Sequence, residues 1–201
     1  MVFIFFISLA ICIVVNSSWL FYYSIHWFNI TGATGLSVHQ LMKEYQNIIY
    51  YLQIPWSPEL HFWYFTSSSH GIEHFREVKQ LILFNNAVLI ISGIFSFWKL
   101  NQLKKRRMLF TLLTPLRIMV AIILILASFS LIDFDDVFVK FHELFFHNQY
   151  WLFDPNVDSV ILMLPDRFFG LCFGLFGLIL LLLILMLHIA IKQEIKKATD
   201  K

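Results

Sequence analysis

FFGLCFGLFGLILLLLILMLHIAI, residues 168–191, is a run of twenty-four residues without a charged side chain. A helix of that length rises about 36 Å, enough to cross roughly 30 Å of hydrocarbon. Three more stretches, about 2–23, 80–98 and 116–132, approach the same length and hydrophobicity. The third is the least clean, with Pro115 and Arg117 at its start and Asp133 closing it. Over all 201 residues the chain is 59% hydrophobic and 14% charged, against about 25% charged in soluble domains. The sequence thus predicts an all-α integral membrane protein with four transmembrane helices in one membrane domain. An extracellular cap of amphipathic helices and irregular, aromatic-rich loops completes it.

Basic residues set the expected orientation. Lys99, Lys104, Lys105, Arg106 and Arg107 lie between the second and third spans, and Lys192, Lys196, Lys197 and Lys201 follow the fourth. Parity puts both groups on one side, which the positive-inside rule makes cytoplasmic, with both termini. The loops 24–79 and 133–167 then face outward and hold seven of the eight histidines. The first span lacks a basic n-region and a small-residue cleavage pattern, so it reads as a retained anchor. Cys12 and Cys172 lie in apolar runs and give no disulfide framework. A net charge of +2, concentrated in the inner segments, points to insertion topology and away from a nucleic-acid partner.

Within the first outer loop, Gly32 and Gly35 mark a flexible turn, and Ser37 with Gln40 fits a capping box. Val38, Leu41, Met42, Tyr45, Ile48, Ile49 and Leu52 then recur at helical spacing up to the region of Pro55, giving one amphipathic helix. Residues 56–69 read as irregular or short extended structure. From about Ser69 a helix resumes and runs unbroken into the second span. His74, Glu77 and Asn85 share one face of it, a polar stripe leading toward the bilayer. In the second outer loop Asp133, Asp135 and Asp136 suit a helix start, and Val137, Phe138, Phe141, Leu144 and Phe145 form an aromatic face bordering His142.

Two chemistries compete for these histidines. His70-x-x-Glu73-His74 matches an inverted zinc-protease signature, with Glu143 available as a third ligand, which would make a zinc-dependent membrane hydrolase. Gly71 weakens the helix inside that motif. Alternatively, His74 and His142 form a metal-free acid and base pair, since the ordinary imidazole pKa of ~6.5 suits proton transfer in both directions. Glu77, one turn from His74, is placed to orient its ring, whereas Glu143 points away from His142 on a helix. A non-enzymatic reading, a sensor or adaptor whose aromatic cap binds lipid, stands beside both.

Several stretches taken together carry a resemblance: Gly35-Leu-Ser37 with Tyr45 and Tyr51-Leu52; Ser69-His-Gly-Ile-Glu-His74-Phe-Arg-Glu-Val-Lys79; and Asp133-Phe-Asp135 through Phe141-His-Glu-Leu-Phe-Phe146. Trp151-Leu-Phe-Asp-Pro155, Asp158, Leu164-Pro165 and Phe168-Phe169 extend it. The chain resembles the bacterial lipoprotein intramolecular transacylases across most of both outer loops. The resemblance implies a four-span enzyme of the bacterial cytoplasmic membrane that needs no cofactor and works on a diacylated lipoprotein among membrane lipids. It further implies transfer of the sn-2 acyl chain of the diacylglyceryl-cysteine to the N-terminal α-amine, giving the lyso form, with Asn85 or a backbone N–H as candidate oxyanion donor. His74 and His142 match the family's histidines, while His70 falls at a variable position, against the zinc reading. Glu77 stands where aspartate is common, a change that keeps the carboxylate.

Overall fold

The computed structural model describes residues 1–199, so Lys201, counted above with the basic tail, lies outside the described residues. Among these there is no strand; the helices are α1 (Val2–Val15), α2 (Ser18–Trp27), α3 (Ile30–Thr34), α4 (Val38–Gln53), α5 (Ser69–Lys105), α6 (Leu113–Ile132), α7 (Phe134–Phe145) and α8 (Asp166–Thr199). Short 3₁₀ turns occupy Leu109–Leu112 and Ser159–Leu162. α5, α8 and α6 with the turn before it are each long and apolar enough to cross a membrane, and α1 with α2 makes a fourth if the bent pair is one span.

That first span differs from the single helix expected over residues 2–23: α1 and α2 are bent by 54°. The break is local chemistry. Asn16 Nδ2 donates to the Cys12 carbonyl at 2.8 Å and the Ser17 hydroxyl to the Ile13 carbonyl at 2.7 Å. These side chains satisfy carbonyls at the helix end, which must find partners in an apolar setting. Beyond the bend, Phe21 stacks on Tyr45 with centroids 4.2 Å apart, and Phe168 meets both rings edge-on. α2, α4 and α8 are thereby pinned together.

The expected turn at Gly32 and Gly35 is partly helical, because α3 occupies Ile30–Thr34 and Gly35, with φ of +70°, ends it. That left-handed conformation is cheap only without a Cβ. Ser37 then opens α4 with the predicted capping box: Gln40 N–H donates to Ser37 Oγ at 3.3 Å and Ser37 N–H donates to Gln40 Oε1 at 2.9 Å. The apolar stripe of α4 buries Leu41, Tyr45, Ile48 and Leu52. On the same face Glu44 is fully buried, its Oε1 accepting the backbone N–H groups of Trp63 and Tyr64 at 2.5 and 2.6 Å. One carboxylate thus ties the irregular 56–69 segment onto the cap.

A second apolar core joins α1, α6 and α8 through Phe6, Ala10, Leu116, Ile123, Leu180 and Ile184. Outside it the helices present large apolar side chains outward, with Leu131 88%, Phe84 69% and Ile94 66% exposed. Such a surface suits hydrocarbon as its solvent. The two basic segments meet at one end of the bundle, where Lys104 and Lys197 lie 3.3 and 3.6 Å from Glu194 Oε1. The polar start of α5, residues 69–79, lies at the opposite end, beyond the apolar stretch 80–98.

Candidate active site

The start of α5 is anchored from the far loop. Ser68 caps the helix, accepting from Gly71 N–H at 3.0 Å, and buried Asp158 accepts from Ser68 N–H at 2.6 Å, Ser67 Oγ at 3.1 Å and Ser68 Oγ at 3.2 Å. A Cβ on Gly71 would lie 2.4 Å from Ser67 Oγ and 2.5 Å from Asp158 Oδ1. Only glycine allows this approach. One turn on, His74 is buried at 7% exposure.

α7 delivers the other imidazole. Asp133 caps that helix, accepting from Asp136 N–H at 3.0 Å, so the acidic start behaves as its sequence predicts. His142 Nδ1 lies 2.7 Å from the Phe138 carbonyl oxygen. Because a carbonyl only accepts, Nδ1 carries the hydrogen and Nε2 keeps its lone pair.

The rings of His74 and His142 stand 5.9 Å apart between centroids. Phe146 packs edge-on to His74 at 4.7 Å, Phe153 lies 5.7 Å from His74, and Trp151 stacks on His142 at 4.8 Å. Burial among these rings pushes the His74 imidazole down to about 4, and the nearby His142 adds to the effect. Burial also lowers His142, opposed by its bond to the Phe138 carbonyl and by Asp166. Both imidazoles are therefore neutral near pH 7, one of them in a fixed tautomer.

The other predicted residues divide. Glu77 lies beside the pair, Oε2 being 4.0 Å from His74 Nδ1, beyond hydrogen-bond length, while Oε1 accepts from Asn148 Nδ2 at 2.7 Å. Its neighbour Arg76 is engaged instead with Glu73 at 2.5 Å. Asn85 is not brought to the pair: it is eleven residues along α5, about 16 Å of helix rise, and its Nδ2 donates to the Ser8 carbonyl at 3.2 Å. It holds α5 to α1. Glu143 is exposed. His70 stacks on Tyr150 at 4.4 Å, and no three His, Cys, Asp or Glu side chains converge on a common point among the described residues. The His70, His74 and Glu143 zinc set is therefore not assembled. A cleft of about 570 Å³ lined by Glu59, His61, Ser69 and Glu73 borders the start of α5 and includes neither histidine of the pair.

Sequence reasoning overlooks Asn148, which lies in a turn without periodicity and declares itself only through its partners. It also overlooks Lys79 as a fastening: its Nζ donates to Ser57 Oγ at 2.7 Å and lies 4.5 Å over the Tyr51 ring.

A family model described as lipoprotein intramolecular transacylase Lit matches residues 1–169. The chain is also similar to the membrane-integral lipoprotein intramolecular transacylase Lit from Bacillus cereus, with a TM-score of 0.94 at 27% identity over 98% of this chain and 92% of that one. Two further structures of that protein, in which one histidine is replaced by arginine or by alanine, match with a TM-score of 0.86 at 27% identity. They cover 88% and 90% of those chains and 98% and 99% of this one. Comparison with curated proteins finds no significant match.

Proposed function

The chain belongs to the lipoprotein intramolecular transacylase family, and from that premise we propose that it transfers the sn-2 acyl chain of a diacylglyceryl-cysteine to the α-amine of the same cysteine. The observation that carries the reading is the meeting of buried His74 with half-buried His142, their ring centroids 5.9 Å apart.

The amine nitrogen attacks the sn-2 ester carbonyl, forming the C–N bond and a tetrahedral oxyanion. His142, whose Nε2 lone pair is left free by the bond from Nδ1 to Phe138, takes the proton released by that nitrogen. The bond from the acyl carbon to the glycerol oxygen then breaks, and the departing oxygen takes that same proton, passed on from His142 through a transient His74 imidazolium, so that both rings end neutral. The products are an N-acyl cysteine and an S-monoacylglyceryl group, with no atom or proton unaccounted for. Ester and amine belong to one molecule, so a folded-back pose replaces a bimolecular encounter with an effective concentration on the order of 10⁵ M or more. No protein nucleophile is needed. Glu77, close to His74, offsets the cost of a transient imidazolium in a buried site.

The same reading puts the histidine end on the extracellular face of the bacterial cytoplasmic membrane, because the basic segments gather at the other end. Both termini are then cytoplasmic. Diacylated lipoprotein is the substrate and membrane lipid the surroundings.

The test is mass spectrometry of a lipoprotein co-expressed with this chain. The lyso N-acyl form should appear with the wild-type chain and vanish with His74→Ala and with His142→Ala. His70→Ala and a chelator should leave it within a few-fold, since His70 packs on Tyr150. Retained activity in either substituted histidine of the pair would sink the acid and base assignment.

A further inference from the structure

Asn148 follows α7, outside both histidine segments, yet both ends of its side-chain amide and its backbone carbonyl are engaged beside them. Its Nδ2 donates to Glu77 Oε1 at 2.7 Å, its Oδ1 accepts from Tyr150 N–H at 3.0 Å, and its carbonyl accepts from the Trp151 indole N–H at 3.0 Å. Trp151 in turn stacks on His142. Glu77 Oε2 is buried and without a hydrogen bond, as is His74 Nδ1, and the two lie 4.0 Å apart. A closure of about 1 Å would make that contact a hydrogen bond.

We propose that Asn148 is a positioning residue for the transfer, holding Glu77 by one oxygen so that the other is available to His74 when its imidazole takes up a proton. The inference rests on the reading of His74 and His142 as acid and base. A neutral amide suits this task better than a cation. It fixes the carboxylate without cancelling its charge, whereas Arg76 and Lys79, the nearest cations in sequence, are occupied with Glu73 and with Ser57 and Tyr51. Unanchored, Glu77, whose side chain is 26% exposed, would swing toward solvent and away from the imidazole.

The experiment uses the purified full-length chain and a synthetic diacylglyceryl-cysteinyl lipopeptide, with N-acyl lyso product followed by mass spectrometry. Asn148→Ala should lower kcat about tenfold or more with KM changed less than about twofold, the signature of an interaction made in the transition state. In a Glu77→Ala background the same substitution should lower kcat by less than about twofold, because no carboxylate is left to hold. Asn148→Asp retains the acceptor for Tyr150 N–H but loses the NH₂ donor, so it should lose activity while keeping the thermal midpoint. That variant guards against an alanine that merely loosens the turn. An equal loss in both backgrounds would mean that Asn148 serves Trp151 and the turn, and would overturn the proposal, as would a wild-type kcat in Asn148→Ala or Glu77→Ala. His74→Ala and His142→Ala run alongside: full activity there removes the acid and base reading and this inference with it. Inactive histidine variants beside an active Asn148→Ala remove the inference alone.

Discussion

His142 owes its tautomer to its own helix, through the carbonyl of Phe138 four residues earlier, and both imidazoles owe their neutrality to aromatic burial. The sign of the pH dependence follows. His74 is pushed to about 4 and His142 is lowered as well, so both bases are freed below the ordinary imidazole value of ~6.5. The group that does titrate is the substrate's α-amine at ~7.7–8.0. Activity at limiting lipopeptide should therefore climb with a single-proton slope up to about pH 7.5, pass half its limit near pH 8 and level off near pH 9. A free-enzyme limb centred near 6.5 would contradict the burial. Gly71 supplies a second test. Alanine in a helix interior ordinarily gains about 1 kcal/mol over glycine. Here its Cβ would lie 2.5 Å from an Asp158 oxygen, on a carboxylate held by Ser67 and Ser68. Gly71→Ala should instead lose about 1–3 kcal/mol, read as a lower thermal midpoint. His74 and His142 were candidates by residue type, and the family resemblance, not spacing, set them apart from His70. Gly71 was legible only as a weak point in a helix, because the residue that explains it comes from the other loop.

Elements with a local cause were the readable ones. α4 declares itself through its stripe and its Ser37 cap, and α5 through an unbroken pattern from Ser69 into the second span. The bend between α1 and α2 was not readable from hydropathy, which averages across Asn16 and Ser17, whereas the break depends on where those two side chains send their hydrogen bonds. The two amphipathic helices also differ in a way that periodicity conceals. α4 buries six of its residues, and α7 buries none. With Phe141, Leu144 and Phe145 turned outward, α7 has little packing to hold it shut, and local opening free energy follows buried contact. Backbone amides of α7 should exchange with deuterium faster than those of α4 in the detergent-solubilised protein, measured by mass spectrometry. Equal protection would show that α7 is fastened by more than its helix contacts. Faster exchange would mark the His142 side of the site as the one that yields to an incoming acyl chain.

At the scale of the whole molecule, charge and apolar surface are arranged along one axis. The basic residues of α5 and α8 meet at one end around Glu194, the outward-facing side chains of the middle are aliphatic and aromatic, and the imidazoles sit at the other end. Lys and Arg beside short links resist translocation, and the proposed orientation accordingly puts the basic end on the cytoplasmic side. Cysteine labelling tests this. With Cys12 and Cys172 replaced by alanine, a single cysteine is introduced in place of Trp56, 82% exposed in the segment leading into α5, or in place of exposed Lys105 at the other end of α5. A membrane-impermeant maleimide applied to intact spheroplasts should modify Trp56→Cys at once and Lys105→Cys only after lysis. Both variants alter exposed side chains away from the histidine pair, so each should fold and retain lyso-product formation, which certifies that the labelled population is the native one. The reverse labelling pattern would turn the site toward the cytoplasm, and the lipoprotein would then have to present its amine and its sn-2 ester from the inner leaflet.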